Sequence, residues 1–394
     1  MKASNNNNLS DTALTMFFLT VTLLILIFSC NPDRVIKHGP EPDPVPDKNI
    51  IYAGHFDLRK TDSCTILTIN DPWQGAGNII HEYYLIRDTD RCFINVDPVK
   101  IIKVPVKRII CMSTTHIAMI HALGEQNSVV AVSGAAFIYN QAISNRIKEG
   151  LISDIGYDSG LNTELILKSE PDLVMIYGIG SESAGYTAKI SELGTKVMYN
   201  ADYLETDPLG KAEWIKVFGA LYCRENTADS VFREIEDSYL SIRHKIGEPA
   251  VRPIVLLGMP FRDTWYVSPG NSYISKLVSD AGGRYLWEET RSSVSMPYSL
   301  ETVYSGALKA DIWLNAGSVL SKHEVISLDK RLGSIPPFIN NKIYNNNKRL
   351  NVSGGNDYWE SGSLKPHIIL KDIASIIHPE IFPGHETVYY RKIE

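Results

Sequence analysis

Short apolar runs alternate with amphipathic stretches along the chain from about residue 105 onward. The runs have the length of buried strands, and the stretches between them carry apolar positions at helical spacing. Such alternation is typical of a parallel sheet, because parallel strands need a crossover connection between them. In the first region the predicted strands are residues 108–112, 129–132, 173–177 and 196–199, and the predicted helices are residues 115–123, 163–169 and 186–193.

A long helical stretch separates this region from a second one with the same alternation. Its apolar residues between Ala228 and Ile246 form a single stripe, and Gly247 and Pro249 end the pattern. We therefore expect one helix over residues 225–246. Beyond it, the predicted strands are residues 254–258, 265–267, 312–315 and 342–344, and the predicted helices are residues 272–281, 300–305 and 366–377.

Two alternating regions of similar size on either side of one helix predict an α/β protein with two similar lobes, each with a central parallel sheet. Residues 50–104 differ, because apolar runs on both sides of a turn at Asn70-Asp71-Pro72 indicate a small N-terminal β segment. The expected divisions are residues 105–222 for the first lobe, 223–249 for the linking helix, and 250–394 for the second lobe and tail.

The N-terminus indicates export. Residues 13–28 are mostly apolar, and Ser29 and Cys30 follow them directly. This arrangement resembles the lipobox of a bacterial lipoprotein, in which residues 1–29 would be a signal peptide and Cys30 would be the lipidated N-terminus. A transmembrane anchor is the competing interpretation, although about 17 apolar residues is the lower limit for spanning a bilayer.

Residues 30–49 alternate proline with acidic residues, as in Pro40-Glu41-Pro42-Asp43. Such a stretch favours extended polyproline conformations over helix or sheet, so it is predicted to be a tether. Several acyl chains on Cys30 would make the attachment durable, because one chain alone binds a membrane only marginally. The expected location is the periplasmic side of a bacterial membrane, within the cell envelope.

Composition narrows the choice of partners. The formal net charge is −6 and basic blocks are absent, which disfavours nucleic acid. The cysteines other than Cys30 form no CxxC pair, so a structural zinc site is not expected. Cys64 and Cys92 could form a disulfide in an oxidising compartment, since both belong to the β segment, whereas Cys111 lies in an apolar strand and is expected to be buried.

One motif occurs in both lobes. Glu164 and Glu301 each open a short amphipathic helix, and Asp172 and Asp311 respectively precede the buried strand that follows. A glutamate at a helix N-terminus also has a purely structural explanation, because its interaction with the helix dipole is worth about 0.3–1 kcal/mol. The repetition of the motif on two lobes suggests matched acidic positions instead.

Taken in order, these segments resemble the substrate-binding proteins of ABC importers for iron chelates, haem and cobalamin. The resemblance covers about residues 105–378 and rests on an ordered set of short matches. They are Leu123-Gly124, Ile155-Gly156, Asn162-Thr163-Glu164, Pro171-Asp172-Leu173-Val174, Leu193-Gly194, Ala281-Gly282-Gly283, Ser299-Leu300-Glu301 and Ala310-Asp311-Ile312. It implies a rigid linking helix, and it implies that Glu164 and Glu301 dock on arginines of the ABC permease dimer through charge-assisted contacts.

In a bilobed α/β protein the ligand lies between the lobes, beyond the carboxyl ends of the strands. The candidate ligand-binding residues are therefore those that follow the predicted strands: His116, Tyr139, Tyr157, Tyr177, Arg262, Trp265, Arg291, Tyr358 and Trp359. Aromatic faces suit a large ring-bearing ligand, and the two arginines could pair with its carboxylates. The expected ligand is an organic metal chelate, with a ferric siderophore first and cobalamin or haem as alternatives.

His116 also suggests haem ligation, because imidazole is a common axial ligand. It begins an apolar helix, however, so a structural or pocket-lining role is the preferred interpretation. No resident metal site or cofactor is expected. GxSxG, HExxH and phosphate-loop motifs are absent from the sequence, which favours a binding protein without catalytic residues. The alternative function is a surface lipoprotein that captures a ligand or partner without a permease.

Overall fold

The structure is a computed structural model, and it describes residues 50–87, 96–157, 160–178, 189–192 and 194–394. These residues belong to one compact unit. The expected signal peptide, the lipidation site Cys30 and the tether lie outside them, as does Cys92, whereas Cys64 is buried. Within the described ranges, no helix is long and apolar enough to cross a membrane.

The N-terminal β segment forms a four-stranded sheet in the order β1-β2-β3-β4. Its strands are β1 (Phe56–Lys60), β2 (Thr65–Asn70), β3 (Ile80–Arg87) and β4 (Ile101–Val104). The first three are antiparallel, and β4 pairs with β3 in parallel. Alternate residues such as Leu67, Ile69 and Leu85 are buried, which is the pattern of a sheet with one face on a core.

The first lobe contains a five-stranded parallel sheet in the order β7-β6-β5-β8-β9. Its strands are β5 (Ile109–Cys111), β6 (Val129–Val132), β7 (Ser153–Asp154), β8 (Leu173–Ile176) and β9 (Val197–Tyr199), and its helices include α1 (Thr114–Ala122), α2 (Gln141–Lys148) and α3 (Thr163–Lys168). The helix predicted over residues 186–193 lies partly outside the described residues, of which 189–192 are helical.

Three helices follow the first sheet: α4 (Pro208–Glu213), α5 (Ile215–Tyr222) and α6 (Glu225–Ile246). The last is the predicted linking helix, and its observed bounds agree with the prediction. At a rise of about 1.5 Å per residue it is roughly 33 Å long. Its buried stripe, which includes Phe232, Ile235 and Tyr239, packs against α5. The Tyr239 hydroxyl donates to Asp280 of the second lobe at 2.7 Å.

The second lobe contains a five-stranded sheet in the order β13-β10-β15-β16-β17, in which only the edge strand β17 is antiparallel. Its strands are β10 (Ile254–Leu257), β13 (Arg284–Tyr285), β15 (Ile312–Leu314), β16 (Ile343–Asn345) and β17 (Arg391–Lys392). Its helices include α7 (Tyr273–Asp280), α8 (Leu300–Ala307), α9 (Lys322–Leu328), α10 (Pro336–Ile339), α11 (Ser361–Leu364) and α12 (Pro366–Ile377), of which α12 packs against α6.

One predicted strand of this lobe belongs to a different sheet. Residues 265–267 were expected within the alternating parallel pattern, but they lie in an antiparallel sheet of β11 (Pro260–Phe261), β12 (Thr264–Val267) and β14 (Met296–Ser299). The physical reason is a tight hairpin between β11 and β12, in which Arg262 has a positive φ of 55°. A two-residue connection can join only antiparallel strands.

Two buried carboxylates fix the start of the β segment to the first lobe. Glu213 of α4 is fully buried and accepts backbone N–H groups from Ile51, Tyr52 and Ala53 at 2.8–3.1 Å, as well as the Lys216 ammonium group at 2.8 Å. The backbone N–H groups of residues 54 and 55 donate in the same way to Glu205. Both carboxylates thus have the hydrogen-bond partners that a buried charge requires.

Candidate functional site

A cavity of about 490 Å³ lies where the strands of the second lobe end, and we call it the cleft cavity. Parallel strands direct the residues that follow them to one edge of the sheet, which is where ligands bind in open α/β folds. The first lobe contributes Tyr203, Glu205 and Lys211. The second lobe contributes Leu257, Gly258, Ser268, Ser272, Tyr273, Ile274, Asn315, Gly317, Asn346, Asn356, Tyr358, Trp359 and Ser363.

Uncharged hydrogen-bonding groups line one side of the cleft cavity. Tyr358 is buried, and its burial raises the pKa of the phenol to about 12, a rise that hydrogen bonds with the side chains of Tyr390, Asn315 and Asn346 oppose. The Tyr390 hydroxyl also donates to Asn315 Oδ1 at 2.8 Å. The phenols therefore stay neutral at physiological pH, and this wall is held in place by side-chain hydrogen bonds.

An exposed tryptophan borders the same wall. Trp359 is 57% exposed, and its ring lies edge-to-face on Tyr358 with 4.7 Å between the ring centroids. An aromatic ring can supply a large apolar contact area to a ligand through stacked or edge-to-face contact. Trp359 therefore offers a flat apolar surface to a ligand.

Lys211 supplies a positive charge to the cleft cavity. Its ammonium group lies 5.4 Å from the centroid of the Tyr273 ring. Behind it is Asp202, which is buried; burial raises the pKa of this carboxyl group, and the charge of Lys211 opposes the rise. The cavity therefore combines the Lys211 ammonium group with neutral amides and hydroxyls and with Glu205, a carboxyl group whose pKa is raised by burial. The ammonium group and the hydroxyls can donate to anionic oxygen atoms of a ligand.

A second cavity of about 1040 Å³ lies between helices α1 and α2, the linking helix α6 and residues 349–365. We call it the helix-side groove, and we call residues 346–363 the bridging segment. This segment ties the second lobe to the first: Asn351 Nδ2 donates to the carbonyl groups of Ala136 and Ile138 at 2.9 Å, and Glu360 Oε2 accepts the Tyr139 N–H at 2.7 Å.

The contribution of Glu360 to the free energy of unfolding is expected to depend on pH. Burial raises the pKa of this carboxyl group from 4.5 to about 7. Because the folded pKa is the higher one, the stability that the group contributes is fully present below about pH 4.5 and is lost as the pH rises through 7. Each unit of pKa shift corresponds to about 1.4 kcal/mol, so the loss is on the order of 3.5 kcal/mol.

The test compares urea unfolding of the wild-type protein and Glu360→Gln at several pH values from 4.5 to 8. The difference between their free energies of unfolding should shift in favour of the variant as the pH rises. Titration of other groups cancels in this difference, because both proteins contain them. A difference that stays constant over this range would contradict the assignment.

Several predicted ligand residues lie at or beside these cavities. Tyr358 and Trp359 line the cleft cavity, and Tyr139 lines the helix-side groove. The half-buried ring of Tyr177 lies edge-on to Tyr203 with 6.5 Å between centroids. Tyr157 is exposed after the edge strand β7 and packs against the Phe137 ring, 5.9 Å away. These five tyrosine and tryptophan residues remain candidates.

The structure does not place His116 and Trp265 in the lining of either cavity, because both side chains are fully buried. His116 faces the core of the first lobe, 6.3 Å from the Phe218 ring, and burial lowers its pKa to about 3. Trp265 donates its indole N–H to the Leu257 carbonyl at 3.0 Å and packs on Trp313. Neither ring is available to a ligand in this structure.

Arg262 and Arg291 are exposed and form no ion pair with the carboxylates of the described residues. The Arg262 guanidinium lies 5.3 Å from the centroid of the adjacent Phe261 ring. Arg291 Nη1 donates to the carbonyl groups of Glu288 and Thr290. Neither arginine lines the two cavities described above, so their pairing with a ligand carboxylate stays a prediction.

Sequence reasoning missed several polar residues of the cleft cavity, among them Tyr203, Lys211 and Asn346. A signal was present for Asn346, since it belongs to the run Asn345-Asn346-Asn347 directly after a predicted strand. Tyr203 likewise follows the last strand of the first lobe. Lys211 lies on a helix that had not been predicted, so no local pattern identified it.

The two candidate docking glutamates are exposed, each in the first turn of its helix, α3 or α8. Each helix leads into a central parallel strand, so its N-terminus points to the carboxyl-end edge of the sheet. Glu301 also accepts from Arg331 at 2.9 Å, and this guanidinium holds the pKa of the Glu301 carboxyl below its usual value. Glu164 forms no ion pair with another described residue.

Across the described part of the chain, no group of three or more His, Cys, Asp or Glu side chains is arranged to hold a metal ion. Glu205 is the carboxylate that lines the cleft cavity, and it already accepts from the Trp214 indole at 3.0 Å in addition to the two backbone groups described above.

Two α/β lobes with parallel sheets, one linking helix and a cavity at the strand ends define a bilobed ligand-binding protein. The family model described as periplasmic binding protein matches residues 109–350, so the chain belongs to the periplasmic binding protein family. The predicted recognition and fold class are thereby confirmed. The β segment and most of the tail lie outside the matched residues.

Individual proteins are similar to this chain in sequence or in fold. An uncharacterized lipoprotein of Methanocaldococcus jannaschii is 32% identical over 305 residues, which are 75% of this chain and 71% of that protein. A possible iron-binding periplasmic solute-binding protein of Staphylococcus epidermidis has a TM-score of 0.54 at 18% identity, covering 70% of this chain and 99% of that one. A periplasmic haem-binding protein of Pseudomonas aeruginosa has a TM-score of 0.54 at 15% identity, and the match covers 73% of this chain and 98% of that one.

Proposed function

We propose that the protein captures an organic metal chelate in the cleft cavity and delivers it to an ABC permease. A ferric siderophore is the first candidate ligand, with cobalamin and haem as alternatives. The observation that carries the proposal is the exposed Trp359 ring beside a wall of neutral hydroxyl and amide groups. A volume of about 490 Å³ falls within the range of small-molecule sites.

The composition of the lining favours a chelate over a bare metal ion. A protein site for a transition metal needs several convergent imidazole, thiolate or carboxylate ligands. Among the described residues that line the cleft cavity there is neither histidine nor cysteine, and the carboxylate of Glu205 already accepts backbone and indole N–H groups. A metal that arrives within an organic chelate needs no such ligands, because the chelator supplies them.

The hydrogen-bond donors of the lining suit an anionic chelate. Lys211 faces the cavity, and the phenols of Tyr203 and Tyr358 stay protonated because burial raises the pKa of each to about 12. These groups can donate to the oxygen atoms of a ferric siderophore or to the carboxylates of haem. One of the two bacterial structural neighbours is a haem-binding protein, and haem is an organic metal chelate.

We further propose that the protein is anchored in the cell envelope by a lipid on Cys30. The lipobox-like sequence before Cys30 supports this, and so does the lipoprotein relative from Methanocaldococcus jannaschii. Delivery to the permease would use Glu164 and Glu301. Their support is their exposure on equivalent helix N-termini of the two lobes.

The proposed role of Trp359 can be tested by truncation. Trp359→Ala should weaken binding of a ferric siderophore by about tenfold or more, since loss of stacking on one aromatic ring removes about 1 kcal/mol or more together with its buried apolar area. The measurement is isothermal titration calorimetry. Tyr266→Ala is the matched control, because Tyr266 is an equally exposed aromatic residue of the same lobe that does not line the cavity. Equal affinities for the two variants would argue against the site.

A further inference from the structure

The helix-side groove is about twice the volume of the cleft cavity and is lined by both lobes. Its first-lobe walls come from α1, α2 and the loop between β6 and α2, and Val231 of the linking helix also lines it. Its second-lobe wall is formed by residues 349–353, 357, 360 and 361 of the bridging segment and by the two residues that follow the segment, Leu364 and Lys365. The groove is therefore a feature of the interlobe interface.

The surface of the groove is apolar in one part and polar in another. Its apolar part is formed by side chains of Ala118, Ala122, Ile147, Val231 and Leu364. Its polar part includes Asn140, Gln141, Ser144 and Asn351. A site that places an apolar surface beside convergent amides is typical of pockets for small amphipathic molecules.

Charges in the groove are unbalanced in favour of cations. Both of its carboxylates are buried and engaged: Asp357 binds the Arg349 guanidinium at 2.6 Å, and Glu360 accepts the Tyr139 N–H. Lys148 and Lys365 are exposed, and neither forms an ion pair with another described residue. His121 is a third basic group there.

Arg349 adds a guanidinium group to this cationic region. Its guanidinium lies 5.1 Å from the centroid of the Tyr139 ring, so an arginine of the second lobe stacks on an aromatic residue of the first. The side chain is 43% exposed in spite of its pairing with Asp357. A guanidinium presents several N–H donors in a plane, and those that do not bind Asp357 can donate to a second anion.

We propose that the helix-side groove is a second binding site, separate from the cleft cavity, for a small amphipathic organic anion. The apolar body of such a ligand would lie along Ala118, Ala122 and Val231, and its anionic group would lie among Lys148, Lys365 and Arg349. The proposal does not depend on the identity of the chelate. Because the walls belong to both lobes, a ligand there would also stabilise the observed arrangement of the lobes.

The test uses the fluorescent probe 8-anilinonaphthalene-1-sulfonate, an anion with an apolar ring system. The variant is Lys148→Glu with Lys365→Glu, both exposed residues without side-chain hydrogen bonds to the described residues. The control is Lys309→Glu with Lys342→Glu, which makes the same change of net charge at exposed lysines outside the groove. Affinity is measured by fluorescence titration of the folded proteins.

The groove variant should bind the probe at least about tenfold more weakly than the control, because two attractive charges have become repulsive. Trp359→Ala should leave this difference unchanged, since Trp359 lines the other cavity. Equal affinities in the groove variant and the control would overturn the proposal. So would a difference between them that disappears in the Trp359→Ala background, because the probe would then be in the cleft cavity.

Discussion

Replacing Glu164 and Glu301 together by arginine is expected to abolish chelate uptake while the affinity for the chelate stays within about twofold of wild type. Each carboxylate is exposed in the first turn of its helix, so reversal of its charge leaves the core intact. In the proposed complex, each arginine would then face an arginine of the permease, and like charges brought together at an interface cost several kcal/mol. Uptake by cells and binding by purified protein are the two measurements.

The control for this variant is Glu149→Arg with Glu386→Arg, which reverses the same number of charges at exposed positions elsewhere in the protein. Uptake with the control should be near that of wild type. Glu301 already accepts from Arg331 within the chain, whereas Glu164 forms no such pair with a described residue, so the single variant at Glu164 should have the larger effect. Lost chelate affinity in the double variant would place the two glutamates in the ligand site instead.

Replacing Glu213 by alanine is expected to lower the free energy of unfolding by about 3 to 5 kcal/mol, because removal of one partner leaves other buried polar groups unpaired. The groups concerned are the backbone N–H groups of residues 51–53, and the variant also loses the ion pair between Glu213 and Lys216. The start of the β segment should also detach from the first lobe. Urea unfolding measures the stability, and limited proteolysis near residue 51 measures the detachment.

Glu234→Ala is the matched control for Glu213→Ala, since it removes an exposed glutamate from the linking helix. Its stability should lie within about 0.5 kcal/mol of wild type. Glu213→Gln keeps one acceptor oxygen and should have an intermediate stability. If Glu213→Ala were as stable as Glu234→Ala, the β segment would not be held to the first lobe in the way described.

Sequence reasoning predicted elements whose pattern is local. The linking helix has one apolar stripe and a glycine-proline end, and these features fix its extent without knowledge of the rest of the chain. The strands Val129–Val132 and Leu173–Ile176 are continuous apolar runs because both faces of a parallel sheet are covered. The ordered series of such elements was sufficient to predict the bilobed fold.

The site depends on long-range contacts that a local pattern does not contain. His116 follows a strand, as a ligand residue would, yet the rotation of its helix turns the ring into the core. Trp265 alternates inward along β12. The bridging segment has no periodic pattern, and its position is set by contacts to the first lobe such as that between Asn351 and the carbonyl of Ile138. These contacts join residues more than 200 positions apart.

The most direct test of chelate capture is titration of the purified protein with ferric siderophores, haemin, cobalamin and free ferric ion. Tryptophan fluorescence and the visible spectrum report binding, and Trp359 provides a reporter at the cleft cavity. We expect at least one chelate to quench the tryptophan fluorescence saturably, with one ligand bound per chain, and we expect no saturable binding of free ferric ion. Saturable binding of the free ion with none of the chelates bound would contradict this expectation.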